Sequence, residues 1–308
     1  MDRLILEQLN RTTPTPKLAR LNTPRAVLLG AYVAGKSYPV WLAKFTGNET
    51  SRNRLRREHQ AMVHLTRHAQ QLGVPQILAW KDDDTFSLLI REGMSGEADN
   101  VAIPLNAPQE LFRERFDPAV EWLLRFQATI SPPKAISQQA VAERLIEWLR
   151  ERASFHPAMG RMSLAIAGLL PKPEKPAVAV HGDFFPRNVL KGPCAQVIDW
   201  DCFDSGLPLH DLLYLFVGAD LYHKRKLVPM DHIAKAALFS EMPIRQALFG
   251  YMERLGIHDP AEIAFNVYCY LAHLLETSAG DIEEQAWMQM LHHVDRAGYP
   301  PPGTALAI

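Results

Sequence analysis

A run of acids, an amide and a histidine is set among apolar residues in AVAVHGDFFPRNVLKGPCAQVIDWD, residues 177–201. Two strand-like pieces, NVLK and AQVID, flank a Gly-Pro turn, which is a hairpin signal. Pairing symmetric about Pro193 and Cys194 brings Asn188 opposite Asp199 at the open end. An amide oxygen beside a carboxylate is a hard-oxygen pair suited to Mg²⁺, which keeps waters and takes phosphate co-ligands. Asp183 lies in the loop just before the hairpin. The three together suit in-line phosphoryl transfer, with the metal neutralising phosphates and a separate Asp accepting or orienting the proton of an incoming hydroxyl. Asp201 either assists the metal or caps the following turn. Arg187 either contacts a phosphate or pairs with a surface acid.

A second pair stands far upstream. Leu55, Glu58, Met62 and Leu65 share one stripe of a helical pattern, so a carboxylate points the way the leucines do. An inward carboxylate is costly unless it meets a cation. Lys44, flanked by Ala43 and Phe45 on a strand-like run, is the cation the sequence offers. A strand lysine held by a helix glutamate is a device for gripping nucleotide phosphates. The plainer alternative is a rim glutamate beside a lysine whose stem snorkels.

These residues need elements to carry them. KLARLN, RAVLLGAYVAGK and SYPVWLAKF read as strands. ETSRNRLRREHQAMVHLTRHAQQLG reads as a helix capped by Thr50 or Ser51 and stopped at Gly73. Its arginines, Arg52, Arg54, Arg56 and Arg57, read as a solvated face. VPQILAW and TFSLLIRE are two more strands around the KDDD turn, and GMSGEADN is a hinge. DPAVEWLLRFQATI, SQQAVAERLIEWLRERASF and RMSLAIAGLL follow with helical periodicity. PKPEKP interrupts them before AVAV, and residues 211 to about 295 read as helical again.

The bulk numbers narrow the classes. A chain of 308 residues can bury a large core and form two lobes. With 33 basic residues against 34 acidic, it has no global charge that would call for nucleic acid or an anionic membrane. No apolar run reaches the roughly 18 residues of a membrane span. MDRLILEQLNRTTPTPK lacks the apolar core of a signal peptide, so the expected location is the cytoplasm. Cys194, Cys202 and Cys269 have no metal-ligand spacing and read as buried thiols.

HGD, four further residues and Asn, then IDW with a further acid, resemble the motif of aminoglycoside phosphotransferases and of the related choline and homoserine kinases. GLPLHDLLYLF at 206–216 resembles that family's helix entry with its fixed aspartate, here Asp211. The resemblance implies an α+β, two-lobed, protein-kinase-like fold. A small antiparallel-sheet lobe would span 1–96 and a larger, mostly helical lobe 97–308. It implies Asp183 as catalytic base or hydroxyl-orienting residue, and Asn188 and Asp199 as Mg²⁺ ligands. Lys44 would hold the α- and β-phosphates and Glu58 would fix Lys44. The hinge backbone at Arg91, Glu92, Gly93 and Met94 would meet the base of ATP, with GTP the alternative. His181 and Asp211 would brace the loop.

Two positions depart from the pattern. Phe185 and Arg187 stand where many relatives carry His and Gly. The LNTPR turn between the first two strands has no glycine, whereas kinases cover the phosphates there with a glycine-rich turn. The implied partner is a small-molecule hydroxyl acceptor: an aminoglycoside, a sugar or an amino alcohol. Glu276, Asp281, Glu283 and Glu284 are either an acidic lining or helix-start acids. Trp122, Tyr214, Tyr268, Tyr270 and Trp287 are either acceptor contacts or core. Two other functional classes fit parts of the pattern. One is a nucleotide-binding scaffold without turnover, because of the glycine-free turn. The other is a metal-dependent phosphoesterase built on His181, Asp183, Asn188 and His210. Oligomeric state is not encoded in any visible seam.

Overall fold

A computed structural model describes residues 3–12, 15–23, 25–98, 109–154, 157–192, 195–216 and 243–277. The chain divides into two compact units, Met1–Asp99 with Pro186–Phe203, and Asn100–Phe185 with Asp204–Ile308.

The first unit is built on a five-stranded antiparallel sheet. Its strands are β1 (Lys17–Asn22), β2 (Val27–Tyr32), β3 (Trp41–Thr46), β4 (Ile77–Asp82) and β5 (Ser87–Glu92), in the order β1-β2-β3-β5-β4. Strand alternation sorts the residues of β3 onto two faces. Trp41 and Ala43 pack with Ala31, Leu88 and Ile90 against Ile5 of α1 (Arg3–Arg11), a helix that the sequence reading did not anticipate. Leu42 and Lys44 lie on the other face, with Arg91 and Leu89 as their register partners on β5.

Helix α2 (Glu49–Leu65) buries Leu55, Glu58, Met62 and Leu65 together, the stripe read from the sequence. Its cap is Asn48, not Thr50 or Ser51: the Asn48 side chain accepts from the Ser51 N–H at 3.1 Å. Asn is as good a cap as Ser, and its position one residue before the helix decides the matter. A 3₁₀ turn at Thr66–His68 leads into the short α3 (Ala69–Leu72), and Gly73 ends it with φ +61°. The arginine run is not simply solvated. Arg52 is buried and donates to the backbone carbonyl oxygens of Asp83 and Asp84, tying the helix to the β4–β5 turn.

The first unit is completed by β6 (Glu97–Ala98), β8 (Val189–Lys191) and β9 (Gln196–Val197), in the order β6-β8-β9. The hairpin exists, but its register is one residue off the symmetric expectation. Val189 pairs with Val197 and Leu190 with Gln196, and the Ile198 N–H donates to the Asn188 carbonyl oxygen at 3.0 Å. Asn188 therefore faces Ile198, and Asp199 comes one residue later. The β1–β2 turn is closed by Thr23, whose hydroxyl accepts from the Ala26 N–H at 3.0 Å.

The second unit is mainly helical: α4 (Gln109–Thr129), α5 (Gln138–Arg152), α6 (Pro157–Gly168), α7 at 210–216, α8 (Pro243–Arg254) and α9 (Pro260–Thr277). Its two strands, β7 (Val178–Val180) and β10 (Asp204–Gly206), pair antiparallel. Trp122, Phe126 and Phe184 stack in its core with ring centroids 4.9 and 5.4 Å apart. Arg144 on α5 meets Glu276 on α9 at 3.0 Å, and Lys175 meets Glu262 at 2.8 Å. Of the thiols, Cys269 is buried but Cys202 is exposed, contrary to expectation, and Cys194 lies outside the described residues.

Candidate active site

In the first unit Lys44 sits at the centre of an ionic cluster. Its Nζ donates to both Glu58 oxygens, at 2.7 and 2.8 Å, and to Asp199 Oδ1 at 2.7 Å. β3 and α2 position the first two. The hairpin brings in Asp199, far along the chain, so the snorkelling alternative for Lys44 does not hold. Burial acts to lower the Lys44 pKa, but the Glu58 and Asp199 carboxylates outweigh it and hold the ammonium above its usual value. Glu58 is 3% exposed and the Asp199 side chain 43%, so one carboxylate anchors the lysine from inside and the other from the solvent side.

Asp199 is the described non-glycine residue with a left-handed backbone, φ +71°. That conformation costs on the order of 1 kcal/mol or more for a residue with a Cβ and is found at functional positions. The following Trp200 is fully buried and donates its indole N–H to the Val197 carbonyl oxygen at 3.1 Å, pinning the turn. Asp201 lies 3.9 Å from Arg54. Burial, then the neighbouring Asp199 charge, pushes the Asp201 carboxyl upward, with Lys44, Arg54 and Arg57 opposing. Asn188 is buried at the end of a 3₁₀ turn leading into β8. Among the described residues no cluster of three or more His, Cys, Asp or Glu has the arrangement of a metal centre. A carboxylate and an amide oxygen on one hairpin are nonetheless the hard donors that Mg²⁺ takes with phosphate and water.

Arg91 is the residue of this site whose side chain sequence reasoning missed. The hinge reading used only its backbone, whereas the side chain is 4% exposed and lies on the Lys44 face of the sheet. Burial lowers its pKa, while Glu58 and Asp199 hold it up. The alternation of SLLIRE carries the signal, once register shows which face Leu89 and Arg91 share. Glu92 ends β5 and Gly93 follows, with the Glu92 N–H donating to the Gln76 carbonyl oxygen and the Gly93 N–H to that of Val40. Met94 follows, half-buried.

In the second unit the HGD loop is organised by Asp211. Its carboxylate accepts from the His181 N–H at 2.7 Å and the Gly182 N–H at 3.0 Å. Gly182 has φ +82°, a conformation glycine adopts without cost. The Asp183 N–H donates to His181 Nδ1 at 3.3 Å, so a neutral His181 ring carries its proton on Nε2. Asp183 itself is half-buried, and Arg187 is exposed. Burial pushes Asp211 up to about 7, against the two backbone N–H groups and with the Asp183 charge. His210 is buried beside His273, ring centroids 4.7 Å apart, and burial drives its pKa well below the usual value.

Of the acceptor candidates, Trp122 and Tyr270 are buried, Tyr214 and Tyr268 are half-buried, and Glu276 is held by Arg144. Asp281, Glu283, Glu284 and Trp287 lie outside the described residues.

A lysine–glutamate–aspartate cluster on an antiparallel sheet, with a mainly helical second unit, is the protein-kinase-like fold, and solved structures share it. They include aminoglycoside phosphotransferase APH(3'')-Id from Streptomyces rimosus with ADP and streptomycin, with a TM-score of 0.50 and 15% identity, covering 87% of this chain and 97% of that one. A mutant aminoglycoside 2'-phosphotransferase-IIIa in complex with GDP has a TM-score of 0.54 and 12% identity, covering 97% and 99%. Choline kinase LicA from Streptococcus pneumoniae has a TM-score of 0.51 and 15% identity, covering 94% and 98%. The model of the phosphotransferase enzyme family, APH, matches residues 25–248, and the chain belongs to that family. No curated protein sequence matches the chain significantly. Among the described residues no helix is long and apolar enough to cross a membrane.

Proposed function

We propose that this protein transfers the γ-phosphoryl group of a purine nucleoside triphosphate to a hydroxyl of a small molecule, with Mg²⁺. The observation that carries the reading is the Lys44–Glu58–Asp199 cluster, joined in sequence to the Asp183 loop by the single stretch 183–199. Lys44 binds the phosphates, and Glu58 holds its ammonium in place. Asn188 and Asp199 would hold Mg²⁺, which neutralises phosphate charge when bound. Asp183 accepts or orients the proton of the acceptor hydroxyl, and the Asp211–His181 bonding holds the loop that carries it. The family and its kinase neighbours support a phosphotransferase. The ADP and GDP complexes among those neighbours support a nucleotide donor, and the streptomycin complex and the choline kinase support a small polyhydroxylated or amino-alcohol acceptor.

The test is a nucleotide-consumption screen against aminoglycosides, sugars, amino alcohols and nucleosides, with Asp183→Asn as the blank. An acceptor turned over by the wild type and slowed by roughly 10²–10⁴ in Asp183→Asn is the expected result, the range for loss of a positioned acid–base group. Equal turnover in the two proteins overturns the mechanism. Nucleotide binding with no turnover on any acceptor is instead what a nucleotide-binding scaffold gives.

A further inference from the structure

We infer that His210 is a positioning residue for Asp183: its ring holds the peptide unit that carries Asp183, and turnover depends on that hold. This rests on the reading that Asp183 accepts or orients the proton of the acceptor hydroxyl.

The His210 ring hydrogen-bonds the Gly182 backbone. The Gly182 N–H is already taken by Asp211 Oδ1 at 3.0 Å, so the group that meets the ring is the Gly182 carbonyl oxygen. His210 Nε2 is buried without a partner, so the donor is Nδ1–H. That carbonyl and the Asp183 N–H belong to one planar peptide unit. The Asp183 N–H donates to His181 Nδ1 at 3.3 Å. Two imidazoles therefore grip the plane from its two edges, His210 as donor and His181 as acceptor, while Asp211 holds the peptide unit before it. Gly182 has φ +82° and no side chain to resist rotation. Without the grip the plane would turn and carry Asp183 with it.

The hold is as rigid as His210 itself, and the residues before it are tied to three helices. The Pro208 carbonyl oxygen accepts from Gln127 of α4 at 3.0 Å and from the Tyr251 hydroxyl of α8 at 3.3 Å. The Leu209 N–H donates to Asn266 Oδ1 of α9 at 3.3 Å, and the His210 N–H to the Leu207 carbonyl oxygen at 3.1 Å. Tyr270 and His273 of α9 pack edge-on against the imidazole, with ring centroids 5.6 and 4.7 Å away. This packing does not call for a histidine. An apolar ring would fill the space without leaving a buried Nε2 unpaired, which is a standing cost. The bond to Gly182 is what the imidazole adds.

The experiment compares two variants of the full-length protein. His210→Phe keeps an aromatic ring and loses the donor; His210→Asn has an amide nitrogen at the same bond separation from Cβ as Nδ1. Residue-resolved amide exchange needs no acceptor. Asp183 should exchange about tenfold faster or more in His210→Phe and near the wild-type rate in His210→Asn, with the His181 and Gly182 amides still protected by Asp211. Turnover of an acceptor from the screen should fall by roughly 10–10² in His210→Phe, as for a misplaced catalytic group, at an acceptor KM within about threefold of wild type. His210→Asn should restore most of it, whereas a merely structural role makes turnover follow the denaturant midpoints of the two variants. Imidazole nitrogen NMR of the wild type should show His210 as the Nδ1–H tautomer; the Nε2–H form overturns the inference even if neither variant folds. Unchanged Asp183 exchange in His210→Phe, or an equal acceleration in His210→Asn, overturns it too. So does wild-type turnover in His210→Phe while Asp183→Asn is slow, and the proposed function then stands. Equal turnover in wild type and Asp183→Asn instead overturns the proposed mechanism, and with it any role of His210 in turnover.

Discussion

At the scale of single residues, Lys44 is a cation shared by two carboxylates, and its removal takes the cation from the buried one, Glu58. Lys44→Met leaves Glu58 buried and uncompensated, which costs about 3–5 kcal/mol in buried pairs. The expected outcome is a clear drop in the urea midpoint and loss of nucleotide binding. Lys44→Met with Glu58→Met replaces the pair by apolar side chains of similar volume and should regain most of that stability, because the buried charge is gone. Phosphoryl transfer should not return. A double variant as unstable as the single one would mean that the loss does not come from the buried Glu58 charge. The sequence offered this pair as one of two readings, because an acid on an apolar helical stripe demands a cation and β3 offered Lys44, and the family resemblance favoured it. It did not expose Arg91, whose burial depends on which strand lies beside β3.

At the scale of elements, the close approaches are made by glycines after β5. A Cβ on Gly93 would stand 1.5 Å from the Pro39 carbonyl oxygen, a rigid backbone atom. Gly93→Ala should therefore cost several kcal/mol, on the order of overpacking or more, and should weaken nucleotide binding by moving Glu92 and Met94. Gly250 is the contrast: it lies within α8, and a Cβ there would meet nothing within 4 Å. Gly250→Ala should raise stability by about 0.5–1 kcal/mol through helix propensity, read as a higher denaturant midpoint at unchanged slope. The strands and long helices were legible because period-2 and period-3.6 patterns differ sharply. The hairpin register was not. Symmetry about the turn put Asn188 opposite Asp199, whereas the ladder puts it opposite Ile198.

At the scale of the molecule, buried titratable groups of the second unit couple folding to pH, with the histidines and Asp211 acting in opposite directions. Burial, reinforced by Arg144, lowers His273 from 6.5 to about 4, and burial holds His210 well below its usual value. Below pH 6.5 the unfolded chain takes up protons that these folded rings refuse, which lowers stability as pH drops toward 4, while Asp211, pushed up to about 7, takes up a proton in the folded chain over the same window and opposes the loss. His273 alone contributes on the order of 3 kcal/mol across that window. Thermal unfolding between pH 7.5 and 4.5 isolates the His273 part as a difference: His273→Gln should gain stability relative to the wild type as pH falls. A difference between variant and wild type that does not change with pH would mean that His273 carries none of the pH dependence.

The sequence by itself determined the residue types and the local periods: the HGD loop with Asn188 and Asp199, the inward Glu58, the two lobes and their family. These are legible because they depend on neighbours a few residues apart. Only the tertiary structure decided that Pro186–Phe203 packs with the first hundred residues, that Asp199 completes the Lys44 cluster, and that the Arg91 guanidinium is buried and donates to the Glu92 carbonyl oxygen. Those facts depend on strand register and on contacts between distant segments, and no local pattern in a chain fixes which distant segment will supply a buried charge with its partner.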